Sequence, residues 1–309
     1  MTQQSSSPPR GVYAAVLTPV GADLAPSAKA FIAHCRWLLA NGCDGLAPLG
    51  TTGEANSLSL AQRLGLIEAM VGAGLPMERC IIGTGSCALA DAVTLTQAVL
   101  AAGGTGALLL PPFYYKNPSE DGLFAFFAEV IERIGDPRLR LYLYHFPQMS
   151  AVPVTPALIQ RLKAAYGDTI AGVKDSSGDW NYTANVLKQI PGFGAYSGSE
   201  QFLLDNLRAG GAGCISASTN ITAPLAHAVF RAWQQPGADA LQEELTQARL
   251  ILQAFPFQGG LKELVARLTG DRQWLTPLPP NRALAPAERE QLFARLKEVR
   301  GLEPLLKAA

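Results

Sequence analysis

Lys174 directly follows the apolar run Ile170-Ala-Gly-Val173, so a strand ending there carries its amine into whatever cavity the strand end faces. Desolvation disfavours an ammonium and lowers a lysine pKa from its reference of about 10.4. The neutral amine is a nucleophile for a carbonyl carbon. Bringing that value near 7 to 8 takes roughly 4 kcal/mol of differential stabilisation, which burial and preorganised neighbours can supply. The chemistry expected of such a residue is a covalent Schiff base with a 2-keto acid. A strand-end lysine that snorkels to solvent has the same local pattern, so the neighbouring motifs must decide between the two.

Two neighbours bear on that choice. Gly50-Thr-Thr-Gly-Glu54 sets two hydroxyls between two glycines, a combination that lets N–H groups and side-chain donors converge on an anion such as a carboxylate. A plain turn before a helix is the alternative. Tyr144 closes the run Leu141 to Phe146, and its phenol, with a reference pKa near 10, can pass a proton to and from a carbinolamine within a hydroxyl relay. Its alternative role is aromatic packing. His34 and His227 lie in helix-type segments without ligand-spaced partners, and His145 sits beside Tyr144. No Cys/His cluster, nucleophile elbow or phosphate loop occurs. A lysine mechanism without cofactor or metal is the expectation.

Eight short apolar runs position these residues: Val12 to Val20, Gly45 to Gly50, Cys80 to Gly85, Gly106 to Pro112, Leu141 to Phe146, Ile170 to Lys174, Gly194 to Gly198 and Gly213 to Ala217. Each is followed by a helix-length segment. Ala107-Leu-Leu-Leu110 and Cys80-Ile-Ile82 are apolar without alternation, as in parallel strands covered on both faces. Ser59 with Gln62 resembles a capping box, and Thr155-Pro156 starts another helix. Asn41-Gly42 ends one rather than making a hairpin. Eight strand-helix repeats without a nucleotide-type glycine turn predict an α/β fold, a (β/α)8 TIM barrel with a C-terminal helical appendage. The predicted organisation is a flexible tail over residues 1–10, the barrel over 11–235 and a helical region over 236–309, with helices at Ala238 to Ala254, Gly260 to Thr269 and Pro286 to Arg300. In such barrels the active site forms at the carboxyl ends of the strands, where Lys174, Tyr144 and the Gly50 loop all fall.

Composition narrows the partners. Lys plus Arg number 25 and Asp plus Glu 25, with no run of like charges, so the footprint of a nucleic-acid binder is missing. No stretch approaches the roughly 20 apolar residues of a membrane span. The start MTQQSSSPPR has no basic and apolar leader pattern, and a cytoplasmic protein is expected. Five scattered cysteines without C-x-x-C spacing are expected to be free thiols, mostly buried.

With those residues in place, the chain resembles the dihydrodipicolinate synthase and N-acetylneuraminate lyase family, which includes the 2-keto-3-deoxygluconate aldolases. The motifs that carry the resemblance are Leu17-Thr-Pro19, Gly50-Thr-Thr-Gly-Glu54, Pro111-Pro-Phe-Tyr-Tyr115, Tyr144-His-Phe-Pro147, Gly172-Val-Lys-Asp-Ser-Ser-Gly178 and Gly211-Ala-Gly-Cys-Ile-Ser216. The resemblance implies that Lys174 is the Schiff-base lysine and Tyr144 the acid/base phenol. It implies that Thr51 links Tyr144 to a tyrosine from a neighbouring subunit, Tyr114, with Tyr115 as its rival. Thr52 and nearby N–H groups would hold the keto-acid carboxylate, and the implied substrate-binding set is Thr52, Gly53, Gly198, Ser199, Glu200 and Ile215. A homotetramer of tight dimers is also implied.

Two departures from the family pattern bear on the substrate. The synthases carry an arginine five residues after the strand-five tyrosine; this chain has Met149 there, and a thioether cannot replace a bidentate guanidinium. Sialic acid lyases place an Asp-Glu pair after the seventh strand and a serine after the eighth, where this chain has Ser199-Glu200 and Ala217. Phe113-Tyr-Tyr115 looks more like the 2-keto-3-deoxygluconate aldolases. The expected activity is therefore a lyase or aldolase that cleaves or forms a 2-keto-3-deoxy acid, with pyruvate and an aldehyde on the other side. Dihydrodipicolinate synthesis, dehydration of a 2-keto-3-deoxy sugar acid, and keto-acid binding without turnover remain the alternatives.

Overall fold

A computed structural model of the chain describes residues 8–302. Strand β1 (Gly11–Ala14) leads into α1 (Ala28–Ala40), β2 (Gly45–Leu46) into α2 (Leu60–Gly72), β3 (Ile81–Gly83) into α3 (Leu89–Ala101), and β4 (Gly106–Leu109) into α4 (Glu120–Ile134). Strand β5 (Arg140–His145) is followed by the single turn α5 (Pro147–Ser150) and by α6 (Pro156–Tyr166). Then come β6 (Ile170–Asp175), α7 (Trp180–Gln189), β7 (Gly194–Ser197), α8 (Leu203–Arg208), β8 (Gly213–Ser216) and α9 (Thr219–Ala232). Helices α10 (Ala238–Gln253), α11 (Phe257–Thr269) and α12 (Pro286–Leu296) complete the described chain.

Every strand pairing is parallel, in the order β2-β1-β8-β7-β6-β5-β4-β3. An isolated parallel bridge between Leu46 and Cys80 joins the two ends of that order, which makes the sheet a nearly closed TIM barrel. The period of two along each strand sorts the side chains. In β5, Leu141 and Leu143 pack outward among Phe127, Leu158 and Val186 of the covering helices. Tyr142 and Tyr144 point inward, in one interior cluster with Tyr13, Tyr196 and Ile215.

The strands are shorter than the apolar runs. The run Val12 to Val20 pairs only to Ala14, although its residues stay buried to Val20. Beyond Ala14 the backbone takes other partners: the N–H of Val16 donates to Ala47 O at 3.2 Å, and that of Leu17 to the side chain of Asn220 at 3.1 Å. The run Gly45 to Gly50 pairs only at Gly45–Leu46, because Leu49 turns into the left-handed region at φ 59°. Apolar sequence reports burial, whereas a ladder also needs a neighbour in register.

Local helix signals appear as their chemistry requires. Ser59 Oγ accepts from the N–H of Gln62 at 3.2 Å, while Gln62 Oε1 accepts from the N–H of Ser59 at 2.9 Å. Thr155 Oγ1 accepts from the N–H of Leu158 at 3.1 Å. Four of the five cysteines are buried and Cys87 is half-buried, all unpaired. No described helix is long and apolar enough to cross a membrane.

Of the expected tail, residues 1–7 lie outside the described residues. Pro9 is held, since its carbonyl accepts from the Tyr196 hydroxyl inside the barrel. The C-terminal helices run from Ala238, Phe257 and Pro286, with residues 303–309 outside the described residues. Their apolar faces share one buried cluster with Leu17 and Ala217 of the barrel rim, including Ile251, Leu261, Trp274 and Leu292. This packing carries α10 and α11 over the carboxyl ends of the strands.

Candidate active site

Parallel register builds the centre of the site. Tyr144 of β5 lies opposite Lys174 of β6, both on the inward face, so the two side chains are neighbours at one level of the barrel. The Lys174 Nζ stands 4.3 Å from the centroid of the Tyr144 ring, and Lys174 is only 3% exposed. The Schiff-base candidate thus projects into the barrel mouth and does not snorkel to solvent.

The barrel interior contains four tyrosines with opposite electrostatic behaviour. Burial pushes the phenol of Tyr142 up to about 12 and drives those of Tyr13 and Tyr196 up as well. Burial acts on Tyr144 in the same upward sense. There, however, the positive charge of Lys174 and hydrogen bonds from Ser176, Thr51 and Lys174 outweigh it, and the phenol falls below its ordinary 10.0. An interior phenol made easier to deprotonate beside an amine is the arrangement that acid/base work on a carbinolamine requires.

The loops around this pair are tied down by their own polar groups. After Lys174, Asp175 accepts from the N–H of Ser177 at 2.8 Å and from the hydroxyl of Thr183 at 2.6 Å, and the N–H of Ser176 donates to His145 O at 2.8 Å. His145 points away from the cavity and stacks on Tyr182 at 3.8 Å. Its Nδ1 accepts from the N–H of Val154 at 3.1 Å. Burial holds its pKa below the usual value, against the opposing pull of Asp175, as expected of a packed neutral imidazole.

The loop from Gly50 to Glu54 rests on a buried ion pair. Glu54, in the left-handed region at φ 56°, pairs with Lys262 of α11 with both side chains fully buried. Its Oε1 accepts from the N–H of Leu278 at 2.7 Å and from Asn281 Nδ2 at 3.1 Å, and Lys262 donates to Thr276 O at 3.0 Å. Burial lowers the Lys262 pKa and Glu54 opposes that shift. The barrel loop and the C-terminal region are thereby locked together.

A cleft of about 530 Å³ opens above Lys174, a size suited to a small organic acid. Thr51, Thr52, Tyr144, Lys174, Gly198 and Ser199 of the expected set all line it, with Phe146, Met149, Ser176 and Ala217. Gly198 is needed there: its N–H donates to Asp175 O at 2.6 Å, and a Cβ would meet that same oxygen at 2.6 Å.

Four expected residues are placed elsewhere. Gly53 is buried beneath the loop, where a Cβ would meet Val16 O at 2.8 Å, so it serves close backbone approach. Ile215 packs in the barrel interior with Tyr144 and Tyr196. Glu200 is fully buried behind the cleft wall, where it accepts from Ser216, from Ser218 at 2.8 Å and from Thr222 at 2.9 Å. Tyr114 stands 73% exposed outside the cleft, its ring 5.4 Å from that of Tyr115.

Other residues of the cleft carry a weaker signal in the sequence. Ser176 lies inside the motif around Lys174, which was a usable signal. Arg249 and Gln253 of α10, Phe257 and Gln258 of α11, and Asn281 also line the cleft. Nothing local in a helix tens of residues past the last strand marks them.

Comparison with known proteins agrees with this geometry. Residues 8–299 match the model of the dihydrodipicolinate synthetase family. An uncharacterized DapA-like lyase of Chloroflexus aurantiacus is 34% identical over 291 residues, 93% of this chain and 94% of its own length. The crystal structure of dihydrodipicolinate synthase from Agrobacterium tumefaciens matches with a TM-score of 0.87 at 33% identity, covering 94% of this chain and 99% of that one. A prophage protein of the dihydrodipicolinic acid synthase family from E. coli K12, solved with pyruvate, matches with a TM-score of 0.86 at 26% identity over 97% of this chain and 99% of its own. This chain, a barrel with a buried lysine and phenol at its mouth, matched over residues 8–299, belongs to the dihydrodipicolinate synthetase family and is an enzyme of the lyase class.

Proposed function

We propose that the protein is a Schiff-base lyase that cleaves or forms a 2-keto-3-deoxy acid, with pyruvate and an aldehyde as the other side of the reaction. The observation that carries this reading is the Lys174 amine buried over the ring of a phenol whose proton is loosened. Neutral Lys174 adds to the C2 carbonyl carbon to give a carbinolamine. Tyr144 delivers a proton to its hydroxyl, water leaves, and the iminium forms. The relay then takes the proton of the C4 hydroxyl. The C3–C4 bonding electrons move into a C2–C3 double bond, which neutralises the iminium, and the aldehyde departs. Protonation of the enamine at C3 and hydrolysis return pyruvate and free lysine. Thr52 and the N–H groups of its loop face the keto-acid carboxylate, and Thr51 and Ser176 orient the phenol.

The exposure of Tyr114 and Tyr115 fits a homotetramer of tight dimers in which Tyr114 extends the relay of a neighbouring copy. A second reading, dihydrodipicolinate synthesis, is favoured by the likeness to the dihydrodipicolinate synthase of Agrobacterium tumefaciens. Against it stands Met149, 60% exposed in the cleft, where the synthases carry their arginine.

The test is incubation with pyruvate, borohydride reduction and intact mass measurement. The expected result is a single pyruvate adduct that disappears in Lys174→Ala. Absence of the adduct, or its survival in that variant, would refute the reading.

A further inference from the structure

The turn that carries Thr51 and Thr52 is held from outside the barrel. The N–H of Glu54 donates to Thr51 O at 3.1 Å and that of Ala55 to Gly50 O at 3.2 Å, so Thr51 to Glu54 form one closed turn. Glu54 ends it in the left-handed region at φ 56°, where a Cβ is strained and glycine is the ordinary occupant. Its side chain holds it there. The carboxylate pairs with Lys262, and its Oε1 accepts from the N–H of Leu278 at 2.7 Å and from Asn281 Nδ2 at 3.1 Å. Lys262 is itself fixed by donating to Thr276 O at 3.0 Å. All of these partners belong to α11 and the segment that follows it.

On its other side the same turn faces the catalytic pair. Thr51 hydrogen-bonds the Tyr144 phenol, and Thr52, 8% exposed, lines the cleft with it. The strained residue is therefore two positions from one of these hydroxyls and three from the other. Stability alone gives no reason for ions at this place, because a buried ion pair is often no more stabilising than apolar side chains of the same volume. A buried carboxylate with three directional partners does fix one position, however, and reacting groups moved by about 1 Å can lose roughly a hundredfold in rate.

We propose that Glu54 is a positioning residue for the Schiff-base reaction: anchored by Lys262, Leu278 and Asn281, it fixes the turn that presents Thr52 to the keto-acid carboxylate and Thr51 to Tyr144. The proposal rests on the Schiff-base reading above. Its consequence is that α11 and the segment after it serve the reaction through the barrel loop, although neither Glu54 nor Lys262 touches the substrate.

The experiment separates position from stability. Wild type, Glu54→Gln, and Glu54→Gln combined with Lys262→Met are compared by denaturant unfolding and by the pyruvate concentration that gives half-maximal borohydride-trapped adduct. The second measurement is made without denaturant, at a temperature where all three are folded. Half-saturation is expected to rise at least roughly tenfold in both variants, the worth of a misplaced charge-assisted hydrogen bond to the carboxylate. The double variant should regain stability over the single one, because no ion is left unpaired, yet keep the raised half-saturation. If Glu54→Gln does not fold, Glu54→Asp, which keeps the charge but shortens its reach by one methylene, replaces it with the same expected rise. An unchanged half-saturation, or one that recovers together with stability in the double variant, overturns the positioning role and leaves the Schiff-base reading intact. A wild-type enzyme that forms no adduct removes that reading and the proposal with it.

Discussion

The amine of Lys174 and the ring of Tyr144 face each other across β5 and β6, with Nζ 4.3 Å from the ring centroid. The contact couples the two groups: a positive charge at Lys174 lowers the pKa of the phenol, so loss of that charge when the neutral amine attacks leaves the phenol holding the proton that the carbinolamine step consumes. Tyr144→Phe should therefore lower kcat by about 10²- to 10⁴-fold, the usual worth of a positioned acid/base group. Steady-state kinetics with pyruvate and an accepting aldehyde would measure it. An unchanged kcat would assign Tyr144 to packing.

The hydrogen bonds to Tyr144 set a pH dependence with a definite sign. Ser176 and Thr51 lower its pKa by stabilising the phenolate. Removing them in Ser176→Ala with Thr51→Val leaves burial less opposed, so the proton is held more tightly and the pKa rises. The limb of the kcat/KM profile that reports Tyr144 deprotonation should move to higher pH. A stationary limb, or one moved to lower pH, would show that this phenol does not titrate in the rate-determining steps.

Lys262 and Glu54 form a buried pair far from water, and removing one partner leaves an uncompensated buried charge. Lys262→Met should cost roughly 3–5 kcal/mol of stability, and adding Glu54→Gln should recover part of it. Denaturant unfolding of the single and double variants would test this. Equal stability in wild type and Lys262→Met would mean that the loop is held by the Leu278 and Asn281 hydrogen bonds alone.

Met149 lines the cleft wall, at the position where the resemblance to the synthases implies a guanidinium. If that group is what the enzyme lacks for aspartate semialdehyde, Met149→Arg should raise kcat/KM for condensation of that aldehyde with pyruvate by roughly tenfold or more. Efficient wild-type turnover of aspartate semialdehyde would instead favour the synthase reading.

Much of this molecule is legible in its residues. Eight apolar runs, each followed by a helical segment and none joined by hairpin signals, leave parallel strands with covering helices as the arrangement that buries them all. A lysine placed directly after Val173 must then stand at the carboxyl end of a strand. The alternation along β5 separates Tyr144 from His145, because neighbouring residues in a strand face opposite sides. The capping residues Ser59 and Thr155 mark helix starts because their chemistry is local.

Only the tertiary structure decided the rest. Hydrophobicity could not tell where pairing stops in the runs from Val12 and Gly45, since buried residues beyond Ala14 and Leu46 bond to Asn220 and to irregular backbone. The register that sets Tyr144 beside Lys174 depends on how two strands slide against each other, which neither strand encodes alone. Glu200 looked like a wall residue of the cleft by its position after β7. Its carboxylate turns away because Ser216, Ser218 and Thr222, brought from β8 and α9, satisfy it inside. Arg249 arrives on a helix whose amphipathic pattern says that one face is buried but not against what. Its place in the cleft follows from the packing of α10 to α12 against Leu17 and Ala217, a contact between segments more than two hundred residues apart in part of its extent, and such long-range contacts leave no local trace in the chain.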